Sequence, residues 1–482
     1  MVLPLQTFGQ VNFANAQLGD KRRTNRLVQL ADSMARRPSG TLPQKFNSPK
    51  DLRAFYRLMD RDQVTHEAIL ASHREATCLK IKQIRGPVLI LHDATELDFT
   101  NHKSLSDDMG QIGNGNRRGY IAQNSLAVNP KTRQVIGLYN QVLHHREDAP
   151  KDELTAQKRK RESRESRLWL RGADPLANSE KLVDVCDRGA DTFEFLEHEL
   201  ASGRRFVIRA SHNRAIIPGH GDQGSSDQAC YLRNYAASLP PAGHWTLSVT
   251  SKVDKKVRVR KGKKKSANRR AREAKMAVSF APVQIKPPAK KLGEHGNDPL
   301  AVWVVRVWEE DPPAGEERLE WFLITNQPVL DFEDAYQVVG WYECRWIIEE
   351  YHKGMKTGCS IESPQFTSEE RLQPAIALIS VVALTLLQMR DASRRWDAKK
   401  RKATEVICSD YVSVLSAWRH GQIKPDWSIH DFFYALARLG GHQNRKSDHP
   451  PGWQTIWRGW NDLQAMLCGV DAMKIVKRCG QT

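Results

Sequence analysis

Two aspartates occupy positions where a metal-dependent enzyme places its ligands. Asp93 follows the apolar run PVLILH and Asp187 follows KLVDVC, so we expect each at the carboxyl end of a buried strand, facing a shared crevice. Carboxylate oxygens are the hard ligands that Mg²⁺ and Mn²⁺ prefer. Two such ions activate water and stabilise a leaving oxygen at phosphorus. The pair therefore predicts phosphoryl chemistry if a third carboxylate joins it.

The third carboxylate is Glu349, in a long helix predicted from a cap at Asp331 to a stop at Gly358. At roughly 100° per residue, Glu350 points away from the face that carries Glu349. A hydroxyl, a guanidinium, a carboxylate and an ammonium on one face are typical of a metal ligand flanked by phosphate contacts. Within an arc of about 60°, that face carries four side chains: Tyr342, Arg345, Glu349 and Lys356.

The charge of the chain indicates a polyanionic partner. Its 482 residues carry a net charge of +18, which concentrates phosphates around the protein, so nucleic acid is the first candidate and a membrane surface the second. The longest apolar stretch, 375–387, is too short to cross a bilayer and predicts a buried helix. The first residues show no signal-peptide pattern, so we expect a cytoplasmic protein without a membrane partner.

Two common chemistries find no support in the sequence. The eight cysteines form no C-x-x-C pair, which argues against zinc ribbons and redox motifs and predicts reduced thiols. The string G-x-x-x-x-G-K-[ST] does not occur, so no nucleotide cofactor is expected.

The pattern of elements predicts an α/β protein flanked by helical regions. Residues 1–75 form a small helical module, with Asp20 and Ser48 or Asp51 as helix starts. Strands and helices then interleave, including a hairpin that turns at 129–132, as in a mixed sheet. Regularity lapses between about 214 and 318, which indicates an insertion. The basic run at 252–275 within it predicts a flexible loop that attracts phosphate.

These motifs resemble one family. The Tyr-x2-Arg-x3-Glu-x6-Lys string from Tyr342 to Lys356 is similar to the signature of the insertion-sequence-four family of bacterial transposases. Further segments resemble the family in the same order along the chain: LGDKRRTNRLV, VCDRGAD, RFVIR, HKGMKTG, RLGG and WRGWNDLQ. Ala94 stands where the family pattern has Thr, and Gly189 where it has Glu. The resemblance spans nearly the whole chain.

The resemblance implies a ribonuclease-H-like catalytic core with a β-rich insertion. Three domains follow: an N-terminal helical domain that binds DNA (1–75), the catalytic domain (76–390, with the insertion at about 214–318) and a helical dimerisation domain (391–482). The implied activity is cut-and-paste transposition through a DNA hairpin. The implied partners are the inverted repeats of the transposon ends, target DNA and a second copy of the chain in a synaptic homodimer.

The resemblance also implies roles for individual residues. Asp93, Asp187 and Glu349 would hold two Mg²⁺ ions, with Mn²⁺ as a substitute. The DNA contacts would come from eight residues: phosphate contacts from Tyr342, Arg345 and Lys356, base stacking on Trp321, transposon-end contacts from Arg22, Arg23 and Arg26, and a basic group near the active site from Arg209.

Several alternatives stay open at this point. Asp98 is a second candidate for the role of Asp93, and Trp321 also fits a core aromatic residue in a strand. Arginines at 22–26 also fit a solvated helix face. For the whole protein, the rivals are a stand-alone metal-dependent nuclease or resolvase, and a catalytically idle DNA-binding relative.

Overall fold

A computed structural model describes most of the chain, namely residues 7–46, 48–105, 109–146, 157, 164–173, 180–219, 230–250, 270–288, 295–445 and 448–479. It divides into two compact units. The first unit comprises Met1–Lys151, Arg171–Pro175 and Trp346–Thr482. The second unit comprises Asp152–Leu170 and Leu176–Arg345.

The α-helices of the described residues are α1 (Phe8–Phe13), α2 (Lys21–Arg36), α3 (Leu42–Lys45), α4 (Pro49–Met59), α5 (His66–Gln83), α6 (Leu168–Ala173), α7 (Phe193–Ala201), α8 (Leu232–Ser238), α9 (Phe332–Glu343), α10 (Trp346–Lys353), α11 (Glu369–Ser393), α12 (Ser409–His420), α13 (Ile429–Leu439) and α14 (Trp453–Cys479). The strands are β1 (Val88–Asp98), β2 (Gly119–Val128), β3 (Val135–His144), β4 (Leu182–Cys186), β5 (Arg205–Arg209), β6 (Ile216–Pro218), β7 (Gly243–Val249), β8 (Arg272–Ile285), β9 (Leu300–Glu309) and β10 (Glu320–Thr325).

The strands of the first unit form an antiparallel meander in the order β3-β2-β1. The predicted hairpin between β2 and β3 is confirmed. Its turn is closed by the side chain of Asn129, whose Oδ1 accepts hydrogen bonds from the backbone N–H groups of Lys131 and Thr132 at 3.0 and 3.3 Å. An asparagine that bonds to the backbone two residues ahead stabilises such a turn.

The N-terminal helices begin at the residues that the sequence indicates. Asp20 caps α2, and its carboxylate accepts the N–H of Arg22. Ser48 caps α4 in the same way. A second helix follows α4, because the hydroxyl of Thr65 accepts the N–H of Ala68 and starts α5. A polar turn separates the two helices.

Several contacts join the N-terminal helices to the segment after α10 within the first unit. Lys45, only 2% exposed, donates through Nζ to the carbonyl oxygen of Cys359 at 2.9 Å and also to that of Pro38. The rings of Phe55 and Phe366 lie 6.3 Å apart. These contacts make the N-terminal helices part of the core of the first unit.

The apolar stretch at 375–387 lies in α11, as predicted for a buried helix. By length and composition this helix passes the test for crossing a membrane, yet 89% of its most apolar 18-residue window is buried inside the protein. Its neighbours in the first unit include β3, α2 and α5. Burial of apolar area is the main stabilising contribution of such a helix.

The strands of the second unit combine parallel and antiparallel pairing. β4 is parallel to β5, β5 is antiparallel to β10, and the antiparallel order continues through β9 to β8. The predicted insertion is rich in β structure, since β6 and β7 both pair with β8. Of the basic run at 252–275, residues 252–269 lie outside the described residues. Positions 272–275 open β8, so the expectation of a loop is wrong for them.

The fold class predicted from the sequence is confirmed. The described chain is mixed α/β, with ten strands and helical regions at both ends. Its mixture of antiparallel and parallel pairs is consistent with a ribonuclease-H-like core. Helices follow one another from α11 to α14, as expected for the C-terminal region.

Candidate active site and nucleic-acid interface

The helix that carries the predicted signature is interrupted, which corrects the expectation of one continuous helix from Asp331 to Gly358. Asp331 does cap α9, but α9 ends at Glu343, α10 starts at Trp346, and a π-helical turn follows from Gly354 to Gly358. If α9 and α10 formed one continuous helix, the buried side chains of α9 and those of α10 would point in directions roughly 140° apart. The break gives each half its own buried face.

The four residues predicted to share one helix face lie on both sides of the break. Tyr342 and Arg345 belong to the second unit, whereas Glu349 and Lys356 belong to the first. The angular agreement computed for one straight helix therefore does not apply across the break. The four residues are placed by the local structure of each unit instead.

Asp93 lies in the middle of β1 instead of at its end, because the strand continues to Asp98. Burial changes at this point, since residues 88–92 are buried and Asp93 is half-buried. Its Oδ1 accepts the N–H of Ala94 at 2.9 Å. Opposite it on β2 stands Asn124. Cross-strand partners project from the same face of a sheet, so Asp93 and Asn124 share a face.

Glu349 is brought to that face by α10, which packs against β1. The amide N–H of Asn124 donates to Nε2 of His352 at 3.2 Å, so α10 covers the face that carries Asp93. His352 follows Glu349 by three residues, and such residues are neighbours on a helix surface. The first unit therefore places Asp93 and Glu349 on the same face.

A buried network of neutral polar side chains fixes this arrangement. Asn124 is fully buried, and its Oδ1 accepts from Nε2 of Gln141 at 2.7 Å. Gln141 in turn donates to the hydroxyl of Ser380 at 3.0 Å and accepts from His66 at 3.0 Å. Buried polar groups with satisfied partners stabilise one arrangement of the surrounding elements. This network, which the sequence does not predict, thus fixes the face that carries Asp93 and Glu349.

Two acidic side chains near the candidates have other partners. Glu350 forms an ion pair with Arg390 of α11, in agreement with the prediction that it points away from Glu349. Asp98 accepts hydrogen bonds from Thr100. Burial alone would raise the pKa of Asp98, but these hydrogen bonds outweigh it and hold that pKa below its usual value. Asp98 differs from Asp93 in strand parity, so it projects from the opposite face of β1.

Lys356 lies in the π-helical turn and is half-buried. Its Nζ is 3.6 Å from Oε1 of Glu362, and the same oxygen accepts the N–H of Asp98 at 2.9 Å. The turn thereby positions an ammonium group beside the end of β1. His92 is fully buried and contacts the hydroxyl of Ser125 at 2.9 Å, so it has a structural role on the face away from Asp93.

Asp187 follows β4 directly, as the sequence predicts. Its Oδ1 accepts the N–H of Gly189 at 2.7 Å and starts a 3₁₀ turn over Arg188–Ala190. A Cβ atom on Gly189 would lie 2.9 Å from the ring of Trp169 and 3.1 Å from Oδ1 of Asp187. Glycine therefore gives this turn its close packing against Trp169.

A buried ion pair supports the strand that carries Asp187. The guanidinium of Arg204 donates to Asp184 of β4 through two bonds of 2.6 and 2.8 Å, and both side chains are nearly inaccessible. Bidentate pairing fixes direction as well as distance. The pair joins β4 to the start of β5, and Asp187 and Arg209 are found at the other, carboxyl ends of these two parallel strands.

An aromatic and cationic cluster surrounds Tyr342 in the second unit. Its ring packs edge-on against Trp321, with centroids 5.2 Å apart, and Tyr342 is only 4% exposed. Burial raises the pKa of its hydroxyl, against the lowering effect of Arg345 and Arg209. Burial lowers the pKa of Arg209, which interacts with the tyrosine hydroxyl. Tyr342 is thus placed to orient Arg209, and the carboxylate of Asp187 lies near enough to affect it.

Trp321 lines a largely apolar cavity of about 200 Å³. The walls are formed mainly by side chains of β7 to β10, among them Trp245, Met276 and Val307. Trp321 itself is half-buried. It therefore has both a packed side, against Tyr342, and an open side, toward the cavity.

The three N-terminal arginines differ in their environment. Arg22 is exposed. Arg23 donates to the carbonyl oxygen of Leu18 at 3.0 Å and to Gln63 at 2.7 Å. Arg26 lies 3.6 Å from a carboxylate oxygen of Asp51. Arg22 presents the most accessible guanidinium of the three.

The proposed ligands fit Mg²⁺ by their chemistry, because all three offer carboxylate oxygens. Among the residues that the structure describes, no group of three or more His, Cys, Asp and Glu side chains is arranged to hold a metal ion. Asp93 and Glu349 belong to the first unit and Asp187 to the second. The complete metal site stays a prediction.

Comparison with known protein families gives one result. Residues 6–64 match the family described as transposase DNA-binding. This range contains α1 to α4, together with Arg22, Arg23 and Arg26. The match supports a transposase that binds DNA through its N-terminal helices.

Proposed function

We propose that this protein is a cut-and-paste DNA transposase of the insertion-sequence-four family. The observation that carries the proposal is the placement of Asp93 and Glu349 on one face of the first unit. They occur in a chain whose residues 6–64 match a transposase DNA-binding domain. Acidic side chains grouped in this way, together with DNA binding, favour cleavage of phosphodiester bonds.

The residues divide into ligands and phosphate contacts. Asp93, Asp187 and Glu349 would hold two Mg²⁺ ions, which when bound activate water and stabilise the leaving oxygen. Arg209 and Arg345 bind the phosphates of the transposon end, with Tyr342 orienting Arg209. Lys356 contributes a further phosphate contact from the first unit, and Trp321 stacks on a displaced base.

The reaction proceeds through exchanges of phosphorus–oxygen bonds. Water attacks one strand at the transposon end, and a 3′ hydroxyl leaves. That hydroxyl attacks the opposite strand and forms a hairpin, which a second water reopens. The 3′ end then attacks target DNA. Each step forms one phosphorus–oxygen bond and breaks another. Hydrolysis by water leaves a 5′ phosphate monoester, whereas attack by a 3′ hydroxyl makes a new phosphodiester, so neither a covalent protein intermediate nor a nucleotide cofactor is required.

Two transposon ends must be held together, which a homodimer in a synaptic complex would provide. We assign the dimer contact to the C-terminal helical region, residues 391–482. The protein would act on chromosomal DNA in the bacterial cytoplasm.

The test uses full-length protein, Mg²⁺ and a plasmid that carries the gene with its natural flanking DNA. The unmodified protein is expected to cut at the ends and to join them to target DNA with short duplications. Asp93→Asn, Asp187→Asn and Glu349→Gln are each expected to reduce cutting by about a thousandfold or more, because a ligand of the reaction centre is lost.

Glu350→Gln is the matched control, because it alters the neighbouring residue, which pairs with Arg390. It should lower thermal stability but leave cutting within a few-fold of the unmodified protein. Full cutting by any of the three ligand variants would refute the triad. Cutting without strand transfer would replace the transposase by a nuclease, and binding without cutting would replace it by an idle DNA-binding protein.

A further inference from the structure

The segment 394–402, which follows α11, has an unusual surface. We call it the Trp396 turn. Its sequence, RRWDAKKRK, contains six basic residues and one acidic residue. Trp396 is 84% exposed, the highest value among the large hydrophobic residues of the described ranges. Large exposed aromatic side chains amid charge often mark interaction sites.

The turn has a defined backbone. Asp397 accepts two hydrogen bonds from the guanidinium of Arg395, at 2.8 and 2.7 Å, and its carbonyl oxygen accepts the N–H of Lys400 at 2.9 Å. Ala398 is 1% exposed and anchors the turn. A hydrogen bond of 2.7 Å from Ala403 to the carbonyl oxygen of Trp427 fixes its far end. The indole is therefore held outward by a fixed scaffold.

The charges of the turn differ in their availability. Arg395 pairs with Asp397, Arg401 with Asp397 and Glu405, and Lys402 with Asp426. Lys399 and Lys400 are exposed, and neither forms an ion pair with another residue that the structure describes. Two ammonium groups beside an exposed indole are thus available to an anionic partner.

We propose that the Trp396 turn is a DNA-binding site that stacks an unpaired or unstacked base on Trp396 and binds the adjoining phosphates through Lys399 and Lys400. Base stacking on aromatic rings and phosphate neutralisation by lysine are the two components of single-strand recognition. In intact B-form DNA, neighbouring bases cover each base face. A fixed, protruding indole therefore fits DNA that is locally open.

The residues of this site are not among those of the proposed active site or of the N-terminal helices. It extends the contacts with DNA to the region after α11. Its ligand is DNA of any sequence, because every base has a face on which an indole can stack.

The test measures binding of full-length protein to two DNA probes that lack the transposon ends. One probe is an intact duplex, and the other has a short unpaired stretch at its centre. Trp396→Ala should weaken binding to the open probe by about tenfold, with less than a twofold change for the intact duplex, because only an open base can stack.

The lysines are tested through the salt dependence of binding. The double variant Lys399→Ala with Lys400→Ala should flatten the slope of log affinity against log salt by about 1.4 to 1.8, since each phosphate contact contributes about 0.7 to 0.9. The matched control changes two exposed lysines elsewhere in the first unit, Lys82→Ala with Lys131→Ala. It carries the same change of charge and should leave the slope unaltered.

Thermal unfolding of each variant shows whether the fold is intact. An unchanged affinity of folded Trp396→Ala for the open probe would overturn the proposal, as would equal slopes for the two double variants. Loss of binding to vesicles of phosphatidylserine, with DNA binding intact, would also overturn it in favour of a membrane surface. The plasmid cutting assay reports on the proposed transposase independently, so the two proposals can fail separately.

Discussion

The two units hold their candidate carboxylates in contrasting surroundings. In the first unit, Asp93 and Glu349 share a face that neutral amide and imidazole groups fix from behind. In the second unit, Asp187 follows a strand that a buried ion pair aligns, near arginines and aromatic rings. Uncharged amide groups support a carboxylate without adding positive charge, whereas guanidinium groups attract phosphate. In the proposed assignment, the first unit supplies two of the three metal ligands, Asp93 and Glu349, and the second unit supplies the arginines that bind phosphate.

Among the variants that test this contrast, the largest effect on the cleavage rate is expected for Arg209→Ala. Arg209→Ala should lower the rate of end cleavage by about a hundredfold to a thousandfold, because a positioned cation at the reacting phosphate is lost. The Mg²⁺ concentration that gives half the maximal rate should stay unchanged. Cleavage kinetics on the plasmid, measured across a Mg²⁺ series, provide both values.

Arg205→Ala is the control for Arg209, since Arg205 lies at the other end of β5 and stacks on Trp341. Its cleavage rate should change only a few-fold. A shift of the Mg²⁺ requirement in Arg209→Ala would contradict the division between the units.

Lys45 allows a second test, because the first unit buries this cation without an aromatic partner. Burial lowers the pKa of Lys45 to about 8, below the value of 10.5 expected for an unfolded chain. The unfolded state then binds more protons between these values, so the free energy of unfolding should rise with pH from about 8 to 10.5, by about 3 kcal/mol in total. Urea unfolding at several pH values measures this rise.

Lys45→Met should remove that rise, whereas Lys50→Met, at an exposed position, should keep it. If the two variants depend on pH in the same way, the buried ammonium is not the cause.

The smallest effect is expected at His352, which supports the carboxylate face without a charge. His352→Ala should raise the Mg²⁺ concentration for half-maximal cleavage by about tenfold, because residues that orient metal ligands affect affinity by about 10 to 100-fold. Binding of Mn²⁺ followed by calorimetry should weaken in parallel. His66→Ala, at the far end of the same network, should lower stability but leave ion binding unchanged. Equal ion binding by both variants would show that the network is only structural.

Local sequence predicted the elements well where local interactions decide them. The caps at Asp20 and Asp331 and the turn at Asn129 all depend on residues within a few positions. The break between α9 and α10 was missed because it depends on what each half buries. The bond between Asn124 and His352 joins residues 228 positions apart, and no local pattern indicates such a pair.

The site residues show the same limit. The sequence shows the type and order of the three carboxylates, Asp93, Asp187 and Glu349. It does not show which side chains hold their strands and helix in place. Glu349 and Glu350 both lie in α10, so helical geometry separates their directions as predicted, and Glu350 pairs with Arg390. The role of Glu349 stays a prediction, and the same geometry does not extend to Tyr342, which precedes the break. Helical periodicity is informative only as far as the helix extends.

The contacts of Lys45 and Phe366 also limit how the chain can be divided. A fragment of residues 6–64, chosen from the family match, would expose Phe55, and the ammonium of Lys45 would lose the carbonyl oxygen of Cys359. Arg371 would likewise lose Asp60, which it contacts at 2.6 Å. The segment that matches the transposase DNA-binding family is therefore shorter than the segment that must fold. Its helices need packing partners from later in the chain, and a fragment cut at the family boundaries would lose them.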